Sequence, residues 1–318
     1  MAAMSTVNGV LGPIDSADLG FTLMHEHVAV ASAGFWQAWP ELFGGREACI
    51  ERIGGILAEA KAGGVETFVD VTTIDLGRDI RLIRDVAERS GMNIVACTGH
   101  WLDPSRSMAA RTVEELTALF VKEIEQGIEG TTIKAGILKL ANDDTPQLSR
   151  FGEKAARAVA RAHLATGVPI TTHAGAKLEI GFRQAEVFEE EGVDPGRVII
   201  GHSDDTDSMH YLTGLMDRGY WVGLDRLPMH DPPFAVRAGT CAALIERGYA
   251  DQLVLSHDYP LDIQLAPTAF RDEEWGPLNP DGIRFIQRRF LPGLRERGVG
   301  AAVCEQLTVE NPRRFFEG

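Results

Sequence analysis

The chain has 318 residues, of which 44% are hydrophobic and 24% charged, and its formal net charge is -15. A chain of this size and composition buries a large core, either as two ordinary domains or as one α/β barrel. The negative charge argues against nucleic acid or an anionic membrane as a partner, because both attract basic surfaces, and it favours a soluble cytoplasmic protein.

The cysteines and the apolar runs exclude further classes of protein. The four cysteines are far apart and form no C-x-x-C pair, so we expect neither a disulfide framework nor a thiolate zinc site. Residues 1–20 lack a basic stretch followed by a continuous apolar run, so we expect no secretory signal. No run reaches the length of a membrane span and no linker is evident, which predicts a single domain over residues 1–318.

Short β-rich runs alternate with amphipathic helical stretches along almost the whole chain. The predicted strands are residues 21–28, 65–73, 93–99, 133–140, 168–173, 197–202, 220–226 and 252–258. The predicted helices are residues 46–62, 79–89, 113–128, 152–165, 183–190, 207–218, 238–246 and 283–297. Eight such units predict an α/β fold, a (β/α)8 TIM barrel with its active site at the carboxyl ends of the strands. A doubly wound open sheet is the alternative, but no G-x-G-x-x-G turn supports it.

The first predicted strand carries two histidines, His25 and His27, two residues apart. A strand sends both imidazoles to one face and Glu26 to the other. Two rings separated by roughly 6.5 Å of backbone can converge on one cation. Alone, however, this spacing more often marks polar residues at a strand end than a metal site.

Further potential ligands end predicted strands at the same rim of the barrel: His173, His202 and Asp258. Five metal-binding side chains at one rim are hard to attribute to chance, because a barrel carries its catalytic groups there. His163 and His210 lie instead on predicted helices, where we expect them to be solvated.

Lys139 is an unusual residue for the interior of a predicted strand. It lies five residues after Lys134, so the two side chains point to opposite faces and one of them enters the barrel. A fully buried lysine is rare unless it is paired. A pair with Asp258 or another acid is the simplest explanation.

Five segments resemble motifs of the phosphotriesterase family of the amidohydrolase superfamily, which includes phosphotriesterase-like lactonases. They are GPIDSADLGFTLMHEH at 12–27, KAGILK at 134–139, TTH at 171–173, GHSDDTD at 201–207 and NPRRFF at 311–316. The resemblance extends from about residue 12 to residue 316, and together the motifs are far more specific than the two histidines alone.

The resemblance implies a centre of two divalent ions, with zinc expected and cobalt, manganese or iron as alternatives. The implied ligands of the more buried ion are His25, His27 and Asp258, and those of the more exposed ion are His173 and His202. Lys139 would bridge both ions as a carbamate formed with carbon dioxide, and a hydroxide would be the second bridge. Burial favours this reaction because it lowers the pKa of a lysine and leaves a neutral amine.

The predicted catalytic residues are Asp258, Arg226 and Asp205, and the predicted substrate contacts are Trp101, Arg226 and Tyr259. Trp101 matches the aromatic residue of the organophosphate-hydrolysing members, whereas many of the lactonases have a tyrosine there. Arg226 resembles the lactonases, because the phosphotriesterases have a histidine that relays protons from the metal-bound aspartate to an acid matching Asp205. Arginine stays protonated and cannot perform that relay.

Two apolar regions near the rim are further candidates. The last rim loop, residues 259–279, is apolar enough for a pocket wall or lid, with Leu261, Ile263, Leu265, Phe270 and Trp275. An aromatic group after the first strand is compatible with an entrance, a dimer contact or plain packing: Trp36, Trp39 and Phe43.

The sequence therefore predicts a homodimeric, metal-dependent hydrolase of small lactones or esters, most simply a lactonase with promiscuous aryl phosphotriesterase activity. A true phosphotriesterase or a carboxylesterase is the alternative. A catalytically idle barrel that binds a metabolite or a partner is disfavoured, because such a protein has no evident use for a complete ligand set at the catalytic rim.

Overall fold

Eight parallel strands in chain order form the centre of the protein. The computed structural model describes residues 5–143, 145–263 and 279–318. The strands are β3 (Thr22–Glu26), β4 (Thr67–Asp70), β5 (Asn93–His100), β6 (Ile137–Asn142), β7 (Ile170–Ala174), β8 (Val198–Ile200), β9 (Trp221–Leu224) and β10 (Leu253–Leu255). The chain after β10 returns to β3, where the Asp258 N–H donates to the His25 carbonyl at 3.1 Å. The sheet is therefore a nearly closed barrel, which confirms the predicted TIM barrel and excludes the open sheet.

Helices follow the strands and cover the outside of the sheet. They are α1 (Phe35–Ala38), α2 (Arg46–Ala62), α3 (Ile80–Ser90), α4 (Arg106–Ala109), α5 (Val113–Glu125), α6 (Arg150–Thr166), α7 (Ile180–Glu191), α8 (Met209–Asp217) and α9 (Phe234–Glu246). Local sequence explains several of their ends. For example, α5 begins at Val113 because Thr112 and Glu115 form a capping box.

The C-terminal region is more divided than the single predicted helix over residues 283–297. Its helical segments are Gly282–Arg284, Ile286–Phe290, Leu291–Glu296, Ala301–Glu305, Gln306–Glu310 and Asn311–Glu317. Two of them, Ile286–Phe290 and Gln306–Glu310, have π-helical geometry.

A short antiparallel hairpin at the N-terminus was not predicted. It consists of β1 (Thr6–Gly9) and β2 (Gly12–Asp15), and strands of four residues carry little periodic signal. Val7 of the hairpin packs with Phe315 and Phe316 of the last helix inside the barrel. The two chain ends therefore close the amino-terminal end of the barrel.

Alternate side chains of the strands contribute to two apolar cores. Leu138 belongs to the larger core between the sheet and the helices. Its neighbour Ile137 belongs to a smaller core inside the barrel, together with Val95, Ile199, Trp221 and Val254. Lys139, two residues after Ile137, also points inward but lies nearer the carboxyl end of the barrel, which positions it for the site.

Two expectations about individual residues are corrected. Lys134 is exposed, but it precedes β6, so the opposite-face argument does not apply to it. His163 is buried rather than solvated, and its Nδ1 lies 2.8 Å from the Val168 carbonyl oxygen.

Trp36 and Phe43 are buried and stacked, with ring centroids 3.3 Å apart. Of the alternatives that the sequence left open for them, this arrangement favours plain packing.

Leu265, Phe270 and Trp275 of the last rim loop lie outside the described residues. Among the described residues, no helix is both long enough and apolar enough to cross a membrane.

Candidate metal centre

Four of the predicted ligands meet where β3, β6 and the segments after β8 and β10 converge. One ligand atom each of His25, His202 and Asp258 lies within 4.8 Å of the other two. Lys139 Nζ lies 2.6 Å from His25 Nε2, and His25 and Lys139 are each 1% exposed. The lysine that was predicted to enter the barrel is therefore in direct contact with a predicted ligand.

The other two predicted ligands flank this group. His27 Nε2 lies 3.2 Å from Asp258 Oδ1. The rings of His173 and His202 are perpendicular, with centroids 4.2 Å apart. Barrel closure thus brings together six side chains that come from five different strand ends.

His202 and Asp258 have an uncommon backbone conformation. Their φ angles are 55° and 51°, in the left-handed region that side chains other than glycine rarely adopt. Both residues follow the last residue of a strand, where the backbone turns over the barrel mouth. Such conformations persist only where surrounding contacts enforce them, and they concentrate at functional sites.

Asp225, which the sequence analysis did not identify as a site residue, supports two of the histidines. Its Oδ1 accepts hydrogen bonds from the backbone N–H and Nδ1 of His202, both at 2.7 Å. Its Oδ2 lies 3.0 Å from His25 Nδ1, although the pair is not aligned as a hydrogen bond. A carboxylate on Nδ1 leaves Nε2 of each ring free to bind a metal ion.

Two glycines make room for the Asp225 carboxylate. A Cβ at Gly201 or at Gly223 would lie within 2.8 Å or 2.7 Å of Asp225 Oδ2. The inward-facing series Trp221, Gly223, Asp225 was visible in the sequence as a strand of period two. That series is the signal by which Asp225 was identifiable.

The remaining two histidines also have polar neighbours. His27 Nδ1 lies 2.9 Å from Thr72 Oγ1, so its Nε2 is the nitrogen that faces Asp258. His173 Nε2 lies 3.1 Å from Asp143 Oδ2. The Thr72 contact fixes the orientation of the His27 ring, whereas His173 and Asp143 are close but are not aligned as a hydrogen bond.

Burial controls the charge of the site. It lowers the pKa of Lys139 to about 8, against the opposing effects of Asp258 and Asp225. It also lowers the pKa values of His25 and His202 well below the ordinary histidine value. His25 and His202 are therefore neutral at physiological pH, the form in which imidazole binds a metal ion.

Asp258 is ionised in spite of its burial. Burial by itself would raise the pKa of this carboxyl, but His202 and Arg226 hold the pKa well below its ordinary value. The Arg226 Nε–H donates to Asp258 Oδ2 at 2.9 Å, and its Nη1 donates to Asp205 Oδ2 at 2.8 Å. Arg226 thus links two carboxylates, with one hydrogen bond to each.

A second arginine, absent from the sequence analysis, supports that pair from below. Arg237 is 1% exposed and donates to Asp205 Oδ1 at 2.9 Å and to the carbonyl of Asp204 at 2.7 Å. It also pairs with the Asp204 carboxylate. Burial raises the pKa of Asp204 to about 6, although the charge of Arg237 opposes that shift.

The predicted substrate contacts Trp101 and Tyr259 differ in their position. The Trp101 ring lies 6.4 Å from the His173 ring, edge to face, and the Trp101 backbone N–H donates to the Asp75 carboxylate at 3.1 Å. Tyr259 is partly buried against the outer apolar core, and its backbone N–H donates to Glu26 Oε2. Trp101 therefore borders the ligand group, whereas the described contacts of Tyr259 are with the scaffold.

The donor set fits divalent cations. Neutral imidazoles and a carboxylate are borderline ligands of the kind that zinc and cobalt prefer. His202 Nε2 is buried and has no hydrogen-bond partner among the described residues, and a buried polar atom requires one. Burial and the nearby Asp204 and Asp258 raise the pKa of Asp225 well above its ordinary value, so bound cations would favour its ionised form.

Comparison with known proteins agrees with this geometry. The model of the Phosphotriesterase family matches residues 5–316. The chain is 41% identical, over 99% of its length and 98% of the relative's, to a phosphotriesterase homology protein of Mycobacterium tuberculosis. It is 37% identical to an aryldialkylphosphatase of Saccharolobus solfataricus, over 95% and 96% of the two chains. A solved structure of the phosphotriesterase from M. tuberculosis matches with a TM-score of 0.92 and 40% identity, over 98% of each chain. The chain therefore belongs to the phosphotriesterase family.

Proposed function

We propose that this protein is a hydrolase with two divalent metal ions, and that it acts as a lactonase with promiscuous activity on aryl phosphotriesters. The observation that carries the proposal is the position of Lys139. Lys139 is 1% exposed, and its amine lies 2.6 Å from His25 Nε2 and has a pKa lowered to about 8. A buried amine among metal ligands is costly as a cation, but useful as the precursor of an anionic ligand.

The ligands divide into two groups in this proposal. His25, His27 and Asp258 would hold one ion, and His173 and His202 would hold the other. The neutral amine of Lys139 can add to the carbon of carbon dioxide with loss of one proton, and the resulting carbamate, whose single negative charge is shared by two oxygens, would serve as a further anionic ligand. Bound ions would supply Lewis acidity for the activation of a water molecule and for the polarisation of the carbonyl or phosphoryl oxygen of the substrate.

The side chains around this centre orient the reactants and move a proton. Asp258 is ionised and at the centre, so it accepts the proton of the attacking water. Arg226 holds Asp258 by one hydrogen bond, which leaves part of its guanidinium to orient an ester oxygen. The face of Trp101 offers apolar contact for an acyl chain or an aryl leaving group.

Arg226 favours a lactone over a phosphotriester as the principal substrate. Ring opening of a lactone leaves its alkoxide tethered near Asp258, which can return the proton that it took from water. A phenol-type leaving group departs instead, and the proton must then leave Asp258 for solvent. Arginine does not carry that proton.

A true phosphotriesterase is the second candidate. The aryldialkylphosphatase among the relatives and the tryptophan at position 101 both favour it. Measurement of turnover separates the two candidates, since they share the same metal centre.

The test combines metal analysis with a substrate panel. Protein purified from metal-replete medium should contain close to two divalent ions per chain by elemental analysis. Zinc-, cobalt- and manganese-loaded protein should then be assayed on γ- and δ-lactones, aryl esters and an aryl phosphotriester, with lactones turned over most efficiently. One ion or fewer per chain would refute the two-metal centre, and faster phosphotriester turnover would favour the second candidate.

A further inference from the structure

Glu26, the residue between the two histidines of β3, is fully buried and faces away from the candidate ligands. Its Oε1 accepts hydrogen bonds from Ser256 Oγ at 2.8 Å, from the His257 backbone N–H at 2.9 Å and from His257 Nδ1 at 2.6 Å. Its Oε2 accepts one from the Tyr259 backbone N–H at 3.1 Å. A single carboxylate thus receives four hydrogen bonds from the segment that carries Asp258.

These hydrogen bonds hold the backbone on both sides of Asp258. Two of the donors are the backbone N–H groups of His257 and Tyr259, immediately before and after it. Asp258 itself has a φ of 51°, an uncommon conformation for a residue with a side chain. Such a conformation needs surrounding contacts that over-determine it, and the Glu26 carboxylate supplies them.

The same carboxylate is connected to His25. Ser256 donates to Glu26 and in turn accepts the His25 backbone N–H at 2.8 Å. The Ile286 N–H donates to His257 Nε2, so the ring proton is on Nδ1, where it donates to Glu26. Glu26 therefore ties together two chain segments, each of which provides ligands to the proposed centre.

We propose that Glu26 is a positioning residue for the metal centre, and that it sets the geometry of Asp258 relative to His25 and His27. The inference rests on the proposed function, since it assigns a role within that centre. Glu26, the middle residue of the His-x-His pattern, thus acts from the opposite face of the strand. Outer contacts of this kind typically change metal affinity or activity 10–100-fold when they are removed.

Glu26→Gln is the sharpest variant, because glutamine has almost the same shape but one oxygen replaced by an NH2 group. In either orientation of the amide, its NH2 group faces a hydrogen-bond donor, from which it cannot accept. The donor is the Tyr259 N–H in one orientation, and Ser256 and His257 in the other. The backbone beside Asp258 must then shift or lose a hydrogen bond.

The matched control is Glu123→Gln, a carboxylate that serves the scaffold. Glu123 accepts from Arg78 Nη2 at 2.7 Å and from Thr98 Oγ1 at 2.6 Å, and none of its described contacts is with a candidate ligand. This variant should lower the melting temperature without altering the metal centre.

The experiment uses cobalt-loaded full-length protein and measures three quantities besides the melting temperature. They are the visible absorption spectrum of bound cobalt, the rate of cobalt loss to excess chelator, and kcat and KM separately on a lactone. For Glu26→Gln we expect a changed spectrum, about tenfold faster metal loss and about tenfold lower kcat with KM little altered. Glu123→Gln should match the wild type in all three.

Four outcomes are decisive. A wild-type spectrum and wild-type metal loss in Glu26→Gln, with only a lower melting temperature, would overturn the inference while leaving the proposed function intact. Failure of the wild-type protein to bind two cobalt ions would refute the proposed function itself. If Glu26→Gln does not fold, Ser256→Ala replaces it: faster metal loss supports the inference, and an unchanged rate overturns it.

Discussion

The lower half of the barrel interior, at the amino ends of the strands, and the upper half, at their carboxyl ends, differ in chemistry although the same strands form both. In the lower half, Ile137, Ile199 and Trp221 pack as an apolar core with the C-terminal helix. Two residues after Ile137 stands Lys139, and the inward row of β9 continues from Trp221 through Gly223 to Asp225. These two inward-facing rows thus change from an aliphatic or aromatic side chain to an ionisable one further along the same strand.

This difference means that the lower half contributes mainly to stability, whereas the upper half carries the groups of the candidate site. Burial of apolar side chains in the lower half contributes directly to folding. Burial of Lys139, Asp225 and Asp258 in the upper half costs free energy unless each charge is paired or neutralised. A barrel tolerates that cost where the buried groups serve the reaction, so substitutions in the two halves should have different consequences.

Lys139→Ala should break the upper half most completely. We expect loss of the second metal ion and more than about 100-fold lower activity, because removal of a direct ligand should exceed the 10–100-fold effect of outer contacts. Elemental analysis and turnover measure the two losses. A short carboxylate with bicarbonate should restore part of both by replacing the bridge, and full activity without it would show that no carbamate is needed.

Ile137→Ala should break the lower half instead. Removal of a fully buried isoleucine side chain should lower the free energy of unfolding by about 2–5 kcal/mol, through lost burial and the cavity that remains. Urea unfolding of the metal-free protein measures this change. The metal content per folded chain should stay at the wild-type value, and a parallel loss of metal would mean that the two halves are not separable.

Arg226→His should sharpen the comparison at the outer edge of the upper half. We expect lactone turnover to lose about 1–3 kcal/mol of transition-state stabilisation, because a charge-assisted contact to substrate is removed. Phosphotriester turnover should stay equal or rise, since histidine can pass a proton from Asp258 to Asp205. The ratio of kcat/KM on the two substrates is the measurement. Equal proportional losses of kcat/KM on both substrates, with a lower melting temperature, would show that Arg226 only links the two carboxylates and does not determine substrate preference.

The pH dependence of metal reconstitution should show the smallest effect. The pKa of Lys139 is lowered from 10.5 to about 8, so the reactive neutral amine dominates above pH 8 and declines below it. At constant dissolved carbon dioxide, reactivation of metal-free protein should slow by about fivefold from pH 8 to pH 7. Stopped activity assays after timed reconstitution measure the rate. A reactivation rate that does not change over this pH range would show that reactivation does not depend on the protonation state of the Lys139 amine.

Much of the fold and part of the site were predictable from local pattern. The eight strands follow from short apolar runs, and the helix at Arg46–Ala62 has the predicted bounds. His25 and Asp258 were identified by residue type and position at strand ends, whereas Lys139 was identified as an unusual lysine inside a strand, and its role as a ligand was implied only by the family resemblance. The hairpin Thr6–Gly9 and Gly12–Asp15 was missed, because four-residue strands gain their stability from the barrel against which they pack.

The supporting residues were harder to identify, because their roles depend on contacts with distant parts of the chain. Asp225 extends the inward-facing series of β9, but Glu26 and Asp225 both have the residue type of ordinary strand-end acids, and their roles follow only from their partners. Arg237 lies on α9, far from the predicted ligands in the chain, yet it is buried beneath Asp205. A buried arginine is visible only when burial is known.

The sequence by itself determined the alternation of strands and helices and the placement of ligand-type side chains at one rim, because both follow from local periodicity and from the parallel direction of the strands. Only the tertiary structure decided which groups support them. Asp225 meets His202 across 23 positions of the chain, and Glu26 meets His257 across 231. Those contacts exist because the barrel closes and brings β10 back to β3, and no local pattern encodes the distances that closure sets.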